Sequence, residues 1–202
     1  IIDNKKDMKF YKYLKKLISD SYDLDIPFVI LDTEFNVFAK QFPFLCYDDT
    51  KNSRDIFKYP SQIINDTLFL GNMTTATTKE VLMDLKIGYI INMTPQFTAQ
   101  LFDKDEDLKI KYLQIPIWDE ESAQIQKYFE QGISFIHKAL TDNGKVLVHC
   151  QAGVSRSSSM IIAYLMKIKK MSFIEAYKYT LDRREIIEPN EGFVKQLKKY
   201  QE

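Results

Sequence analysis

Apolar residues recur along this chain at helical spacing, at strand spacing and in one short unbroken run. Residues 5–21 place Met8, Tyr11, Leu14, Leu17 and Ile18 on one side of a helix, with lysines opposite. Pro27-Phe-Val-Ile-Leu31 predicts a strand, and Asp32-Thr33-Glu34 a turn of helix-capping composition. Phe35, Phe38, Ala39 and Phe42 predict a second short helix stopped by Pro43. The pattern lapses over residues 47–60, where Asp48 to Asp55 is charged and polar before Pro60, a linker composition.

It resumes at Ser61. Ile63-Ile64 and Leu68-Phe69-Leu70 flank Asn65-Asp66 in hairpin order. Thr77 to Ile87 predicts a helix with Val81, Leu82 and Leu85 on one face and Gly88 just past its end. Tyr89 to Met93 predicts a strand closed by Pro95, Phe97 to Leu108 an irregular acidic stretch, and Ile110 to Ile117 another strand. Gln124 to Leu140 predicts a long helix with Ile125, Phe129, Ile133, Ile136 and Leu140 inward. Asp142-Asn-Gly144 turns the chain into Val146 to His149, a short buried strand, and Met160 to Met166 is an apolar helical run. Ser172-Phe-Ile-Glu175 is a capping box opening a helix Phe173 to Leu181. Pro189-Asn190 breaks the chain before a last helix, Gly192 to Tyr200. Alternating helices and strands predict an α/β fold with a central, mostly parallel sheet flanked by helices on both faces.

Composition narrows the function classes. Across 202 residues, 28 basic and 28 acidic side chains give zero formal net charge, which argues against a nucleic-acid or membrane-surface protein. No apolar run approaches the roughly 20 residues of a membrane span, and no signal peptide opens the chain. Only Cys46 and Cys150 occur, so a disulfide framework is not expected and a free thiol suits a reducing, cytoplasmic or nuclear interior. Cys46, after Pro-Phe-Leu at an element end, reads as a small packed hydrophobe. The start at Ile1 predicts a piece of a longer protein.

The chemistry concentrates after the strand Val146–His149. Cys150 and Arg156 bracket a glycine-bearing loop that opens the next helix. A strand feeding such a loop aims backbone N–H groups at one spot, at the positive end of a helix dipole. Helix N-termini and nearby cations lower a cysteine pKa from about 8.5 to roughly 3.5–7.5, so the expectation is a thiolate nucleophile in an anion cradle. The backbone of Gln151, Ala152, Gly153, Val154, Ser155 and Arg156 supplies donors to phosphoryl oxygens, and Arg156 adds a bidentate fork. Gly153 permits the turn that points the amides inward, and Ser157 can hydrogen-bond the sulfur. No metal or other cofactor is expected: His137 and His149 are the only histidines and lie far from ligand-like spacing. His137, mid-helix, reads as a surface or packing residue.

His149-Cys150-Gln-Ala-Gly153-Val-Ser155-Arg156-Ser157 resembles the signature loop of the protein tyrosine phosphatase superfamily, in its dual-specificity, MAP-kinase-phosphatase-like form. The resemblance implies hydrolysis of phosphotyrosine and phosphoserine/threonine in phosphoproteins through a cysteinyl-phosphate. It implies that Ser157 helps the sulfur depart and that His149 tunes the thiol through the loop backbone. Phosphoinositide phosphatases usually carry lysines inside the loop, whereas Gln151, Ala152, Val154 and Ser155 are uncharged. RNA-end phosphatases have a different loop interior and a more basic chain. The leaving oxygen needs a proton. Asp119, in a strand-end loop where the family places its acid, is the best candidate, with Glu120 and Glu121 as neighbours that compete. Arg183-Arg184-Glu185-Ile-Ile-Glu-Pro189-Asn190 resembles the family's Arg-Pro-x-x-x-Pro-Asn segment with Glu185 replacing a proline. The arginines are then either substrate-side residues or an exposed pair, and the resemblance makes Asn190 a support of the signature loop.

Residues 1–46 resemble the C-terminal part of a rhodanese-like domain, such as precedes the catalytic domain in multidomain MAP-kinase phosphatases, with Thr33-Glu34 where that family has a glycine pair. The alternative is a plain N-terminal extension. Rhodanese chemistry is not expected there. The domain expectation is 1–46, a linker 47–60, and a catalytic domain 61–202. A MAP kinase partner follows from the resemblance only, since the N-terminal part shows Lys15-Lys16 and scattered lysines rather than a docking arginine cluster. The competing class is a non-catalytic phosphoprotein-binding module of the same fold.

Overall fold

A computed structural model describes residues 59–95, 102, 105 and 107–201. The helix, strand, helix and linker readings before Tyr59, with Cys46, fall outside the described residues, as does most of Phe97–Leu108. The described elements, in chain order, are strands β1 (Ser61–Ile64) and β2 (Leu68–Gly71), helices α1 (Met73–Thr77) and α2 (Lys79–Asp84), and strands β3 (Tyr89–Asn92) and β4 (Lys111–Gln114). A 3-10 turn (Ile125–Tyr128) then leads into α3 (Phe129–Thr141), followed by β5 (Val146–His149), α4 (Arg156–Lys169), α5 (Phe173–Leu181) and α6 (Glu191–Gln201). No described helix is long and apolar enough to cross a membrane.

The strands form one sheet in the order β1-β2-β5-β3-β4. β1 and β2 are the antiparallel hairpin around Asp66, whose φ of 53° suits a tight turn, and the other pairings are parallel. β5 is central, and all four of its residues are buried. Such a strand must be apolar on both sides, which is why Val146-Leu147-Val148 shows no alternation. Val146 and Val148 face the larger core with Phe129, Ile133, Ile136, Ile161, Ile162, Leu165 and Phe193; Leu147 faces a second core with Phe69, Val81, Leu82, Ile87 and Ile90. His149 lies level with Gly71 of β2 and Asn92 of β3, so the parallel strands end together where α/β sheets place ligands.

The departures from the sequence expectations have local causes. The helix expected over Thr77–Ile87 spans only Lys79–Asp84, and a short helix the sequence pattern did not mark, Met73–Thr77, precedes it across the extended Thr78 (φ −99°, ψ 104°). The Thr77 and Thr78 hydroxyls donate to Met73 O and Thr74 O, ending α1 one turn after it begins. The strand expected over Ile110–Ile117 spans only Lys111–Gln114: β4 is an edge strand whose partner β3 stops at Asn92, and Pro116 has no N–H to offer. The long helix expected from Gln124 begins with the 3-10 turn, where Gln126 N donates to Gln196 Oε1 of α6 at 3.0 Å. The capping box is as expected: Ser172 N donates to Glu175 Oε2 (2.7 Å) and Glu175 N to Ser172 Oγ (3.3 Å).

Gly88 does not close α2. Lys86 takes the left-handed conformation (φ 56°), with Lys86 N on Met83 O (3.0 Å) and Ile87 N on Leu82 O (2.9 Å), the two bonds of a Schellman motif. Buried Ile87 packs in the same cluster as Leu82, so the reversal must fall before Ile87, at the exposed lysine. An L-residue pays roughly 1–2 kcal/mol for this conformation. Lys86→Gly is expected to raise stability by about 1 kcal/mol in a denaturant titration at neutral pH, and Lys86→Val to lower it.

Candidate active site

The loop between β5 and α4 is held by its carbonyls. Gln151 O accepts from Met73 N (3.2 Å), Gly153 O from Arg184 Nε (2.8 Å), Ala152 O from Arg184 Nη2 (3.5 Å), and Val154 O from Glu188 N (3.0 Å). No peptide among the described residues is cis. In a trans peptide the C=O and the following N–H point opposite ways. Outward carbonyls at Gln151 to Val154 therefore turn the N–H groups of Ala152, Gly153, Val154 and Ser155 to the inside. Gly153 N lies 3.3 Å from Cys150 Sγ. Gly153 has φ +70°, and a Cβ there would stand 2.5 Å from Gly71 O and 2.8 Å from Arg184 Nη2, so both conformation and space demand glycine.

Cys150 is buried, and its sulfur also accepts from Ser157 Oγ at 3.2 Å. His149 is buried beside it, with Nδ1 3.4 Å from Cys150 O. Burial pushes the His149 imidazole down to about 4, the bond to Cys150 opposes this, and the Arg156 charge adds to it. The ring is therefore neutral at pH 7.

Asp119 lies beside the Cys150 loop, and its carboxylate is engaged on both oxygens. Oδ1 accepts from Ser155 Oγ (2.6 Å) and Asn190 Nδ2 (2.9 Å), and Oδ2 from Arg156 Nε (3.3 Å). Arg156 Nη1 donates to Ile117 O (3.2 Å), so the segment carrying Asp119 also orients the guanidinium. Asn190 N donates to Ser155 Oγ (3.1 Å), and Asn190 Oδ1 caps α6 by accepting from Phe193 N (2.9 Å). Cys150, Asp119, Arg156, Ser157, Ser155, His149 and Asn190 thus come together around the backbone of Gln151, Ala152, Gly153 and Val154. Glu120 and Glu121 are exposed and make no side-chain bond to the loop. His137 is exposed on α3, and among the described residues no cluster of His, Cys, Asp and Glu could hold a metal ion.

Arg184 is neither of the two things its sequence context suggested. Only Arg183 is exposed, stacked 3.4 Å above the Tyr179 ring; Arg184 is 7% exposed and braces the loop from behind, with Nη1 on Ser61 Oγ at 3.3 Å. Burial lowers its guanidinium below the ordinary value, and Cys150 acts in the opposite sense. Sequence reasoning also missed Gly192, where a Cβ would collide with the Glu121 backbone, and Gln196, whose side chain donates to Ala123 O (2.8 Å). A glycine at the start of a helix was the only visible sign of that close approach.

The His149 shift has a measurable consequence. Between pH 6.5 and about 4 an unfolded chain takes up a proton that the folded chain refuses, so stability falls as pH falls through that window. The loss is expected to be of the order of 3 kcal/mol. His149→Gln should flatten this part of a stability-against-pH curve measured by denaturant unfolding.

Comparison with known proteins agrees with the geometry. The family described as the dual specificity phosphatase catalytic domain matches residues 68–202. A probable rhodanese domain-containing dual specificity protein phosphatase of Dictyostelium discoideum is 36% identical over 180 residues, 86% of this chain and 37% of that protein. A match of that extent necessarily includes part of the segment ahead of Tyr59. Dual specificity protein phosphatase 21 of Homo sapiens is 36% identical over 143 residues, covering 71% of this chain and 73% of that one. The crystal structure of DUSP15 superposes with a TM-score of 0.64 at 31% identity, over 71% of this chain and 88% of that chain. The chain spans about a third of the length of several of its curated relatives. A buried cysteine under inward amides, with an arginine and a carboxylate at the rim, and a family match over the same residues lead to one conclusion: this chain belongs to the dual specificity phosphatase family through its catalytic domain.

Proposed function

We propose that the chain is a protein phosphatase that hydrolyses phosphotyrosine and phosphoserine/threonine through a cysteinyl-phosphate. The observation that carries the reading is Cys150 Sγ lying beneath the inward-facing amides of Ala152 to Ser155. Three phosphoryl oxygens would take those amides and the Nε–Nη2 edge of Arg156, while Nη1 stays on Ile117 O. Seating phosphate there displaces Asp119 Oδ2 from Nε. The sulfur attacks phosphorus, the P–O bond to the side chain breaks, and Asp119 gives its proton to the leaving oxygen. Water then attacks the phosphocysteine, Asp119 takes its proton back, and the S–P bond breaks with Ser157 donating to the departing sulfur. The uncatalysed reaction is among the slowest known, with accelerations up to about 10²¹ for phosphate monoesters. Placement of donors rather than covalent chemistry would carry most of this.

Resemblance to MAP-kinase phosphatases supports MAP kinases as the substrate class, and a free catalytic thiol supports a cytoplasmic or nuclear setting. On a phosphotyrosine peptide, Cys150→Ser is expected to abolish turnover. Asp119→Asn should slow it about 10²–10⁴-fold with binding retained. Equal turnover by Asp119→Asn and parent would remove Asp119 from the mechanism. A parent that binds phosphopeptide without hydrolysing it would make this a binding module. Failure of the full-length protein to co-purify with a MAP kinase would remove that substrate class.

A further inference from the structure

Ser155 occupies the N-cap position of α4, where a serine hydroxyl ordinarily accepts from the second or third helical N–H. It makes no such bond. Its oxygen instead accepts from Asn190 N (3.1 Å), and its proton goes to Asp119 Oδ1 (2.6 Å). Ser157, Ser158 and Ser159 do not cap the helix either: their hydroxyls turn to Cys150 Sγ and to the carbonyls of Val154 and Ser155. The first N–H groups of α4 are left open to a ligand, and the Ser155 side chain is committed away from it.

The second donor to Asp119 Oδ1 is Asn190 Nδ2 (2.9 Å). Helix α6 meets the acid-bearing loop and the 3-10 turn that follows it at three further points. Gly192 abuts the Glu121 backbone, Gln196 Nε2 donates to Ala123 O (2.8 Å), and Gln126 N donates to Gln196 Oε1 (3.0 Å). Asp119 is therefore seated against one rigid helix end, with its side chain clamped at one oxygen.

Clamping one oxygen has a chemical result. Two donors saturate Oδ1 as an acceptor, so a proton added to the carboxyl goes to Oδ2. Oδ2 is the oxygen that faces Arg156 and would be released when phosphate takes the guanidinium. We infer that the Ser155 hydroxyl and the Asn190 amide form a two-donor clamp that positions Asp119 and directs its transferable proton to Oδ2, toward the leaving group. This rests on the phosphatase reading above and assigns Ser155's side chain to the acid rather than to the phosphate. Ser155 and Asn190 are positioning residues: neither side chain touches the reacting atoms.

A leaving-group comparison tests the clamp. An alkyl leaving group, as in a phosphothreonine peptide, needs the proton; a 2,4-dinitrophenolate does not. For Ser155→Ala in the full chain, kcat/KM on a phosphothreonine peptide is expected to fall about 10–100-fold, within the range a general acid supplies. On 2,4-dinitrophenyl phosphate it should fall less than about threefold, and inhibition by inorganic phosphate should change less than about twofold. Ser155→Thr should restore most of the loss, and Asn190→Ser, which keeps a cap for α6, should reproduce the selective defect. Circular dichroism and the phosphate inhibition constant confirm that the variant is folded with an intact anion cradle. Equal losses on both substrates, or weakened phosphate inhibition in the folded variant, would overturn the clamp and leave the phosphatase reading standing. A parent chain that hydrolyses neither substrate would overturn both.

Discussion

Everything at this site depends on which way four peptide planes face. An isolated loop of this length would let its carbonyls and amides turn either way, and its outward groups would find water. Here Met73 N, at the start of α1, and the Arg184 guanidinium and Glu188 N, in the segment after α5, take the carbonyls of Gln151 to Val154 from two distant parts of the chain. Planarity then fixes the amides. The anion cradle is an indirect product of bonds made on its far side, and no residue that would touch phosphate has to hold the loop in shape. Donors held in place in advance are worth more than donors that must first reorganise, and the bonds to the loop carbonyls hold these amides in place.

The segment between α5 and α6 does most of the holding. Within seven residues it sends Arg184 to two loop carbonyls, Glu188 N to a third, Asn190 N to Ser155 and Asn190 Nδ2 to Asp119. It joins the loop that would bind phosphate to the loop that would protonate the leaving group. Those loops are separated in sequence and lie at the ends of different strands. Pro189 and Asn190 end this segment, and Asn190 then starts α6 by capping it, so a single residue closes the connection and opens the helix on which Asp119 rests.

This division explains what could be read from residues alone. The loop from β5 to α4 was legible because its parts are contiguous: strand, Cys150, Gly153, Arg156 and helix follow one another, and each has a local physical reason. β5, α5 and the capping box of Ser172 and Glu175 were legible for the same reason. Asp119 was singled out only with the family's help, since a carboxylate after a strand has many possible uses. What stayed hidden is tertiary. Arg184 looked like half of an exposed basic pair because nothing in Arg183-Arg184 says that one guanidinium turns into the domain while the other stacks on Tyr179. Ser155 was readable only as a backbone donor to phosphate because its side-chain partners, Asp119 and Asn190, are 36 and 35 residues away. The breaks at Thr78 and Gln124 were hidden too, because side-chain bonds to carbonyls and to Gln196 overrode helical periodicity.

Arg184 also bears on why a chain of zero net charge can present an anion site. Its guanidinium is buried, and its hydrogen-bond partners among the described residues are neutral, two carbonyls and a serine hydroxyl, with no carboxylate of those residues within salt-bridge distance. Removing an uncompensated cation from water is costly, and a fold shaped by stability alone would place an acid beside it. Arg156, the other buried guanidinium of the site, does have one, Asp119, at 3.3 Å. The two arginines therefore differ in kind. Arg156 is paired with a carboxylate, whereas Arg184 is held by neutral acceptors on the outer side of the loop. A lysine could not substitute for Arg184, because reaching two successive carbonyls and a third acceptor at once requires a planar fork. Two buried guanidinium groups thus lie beside the Cys150 loop, whatever the surface charges that cancel in the total.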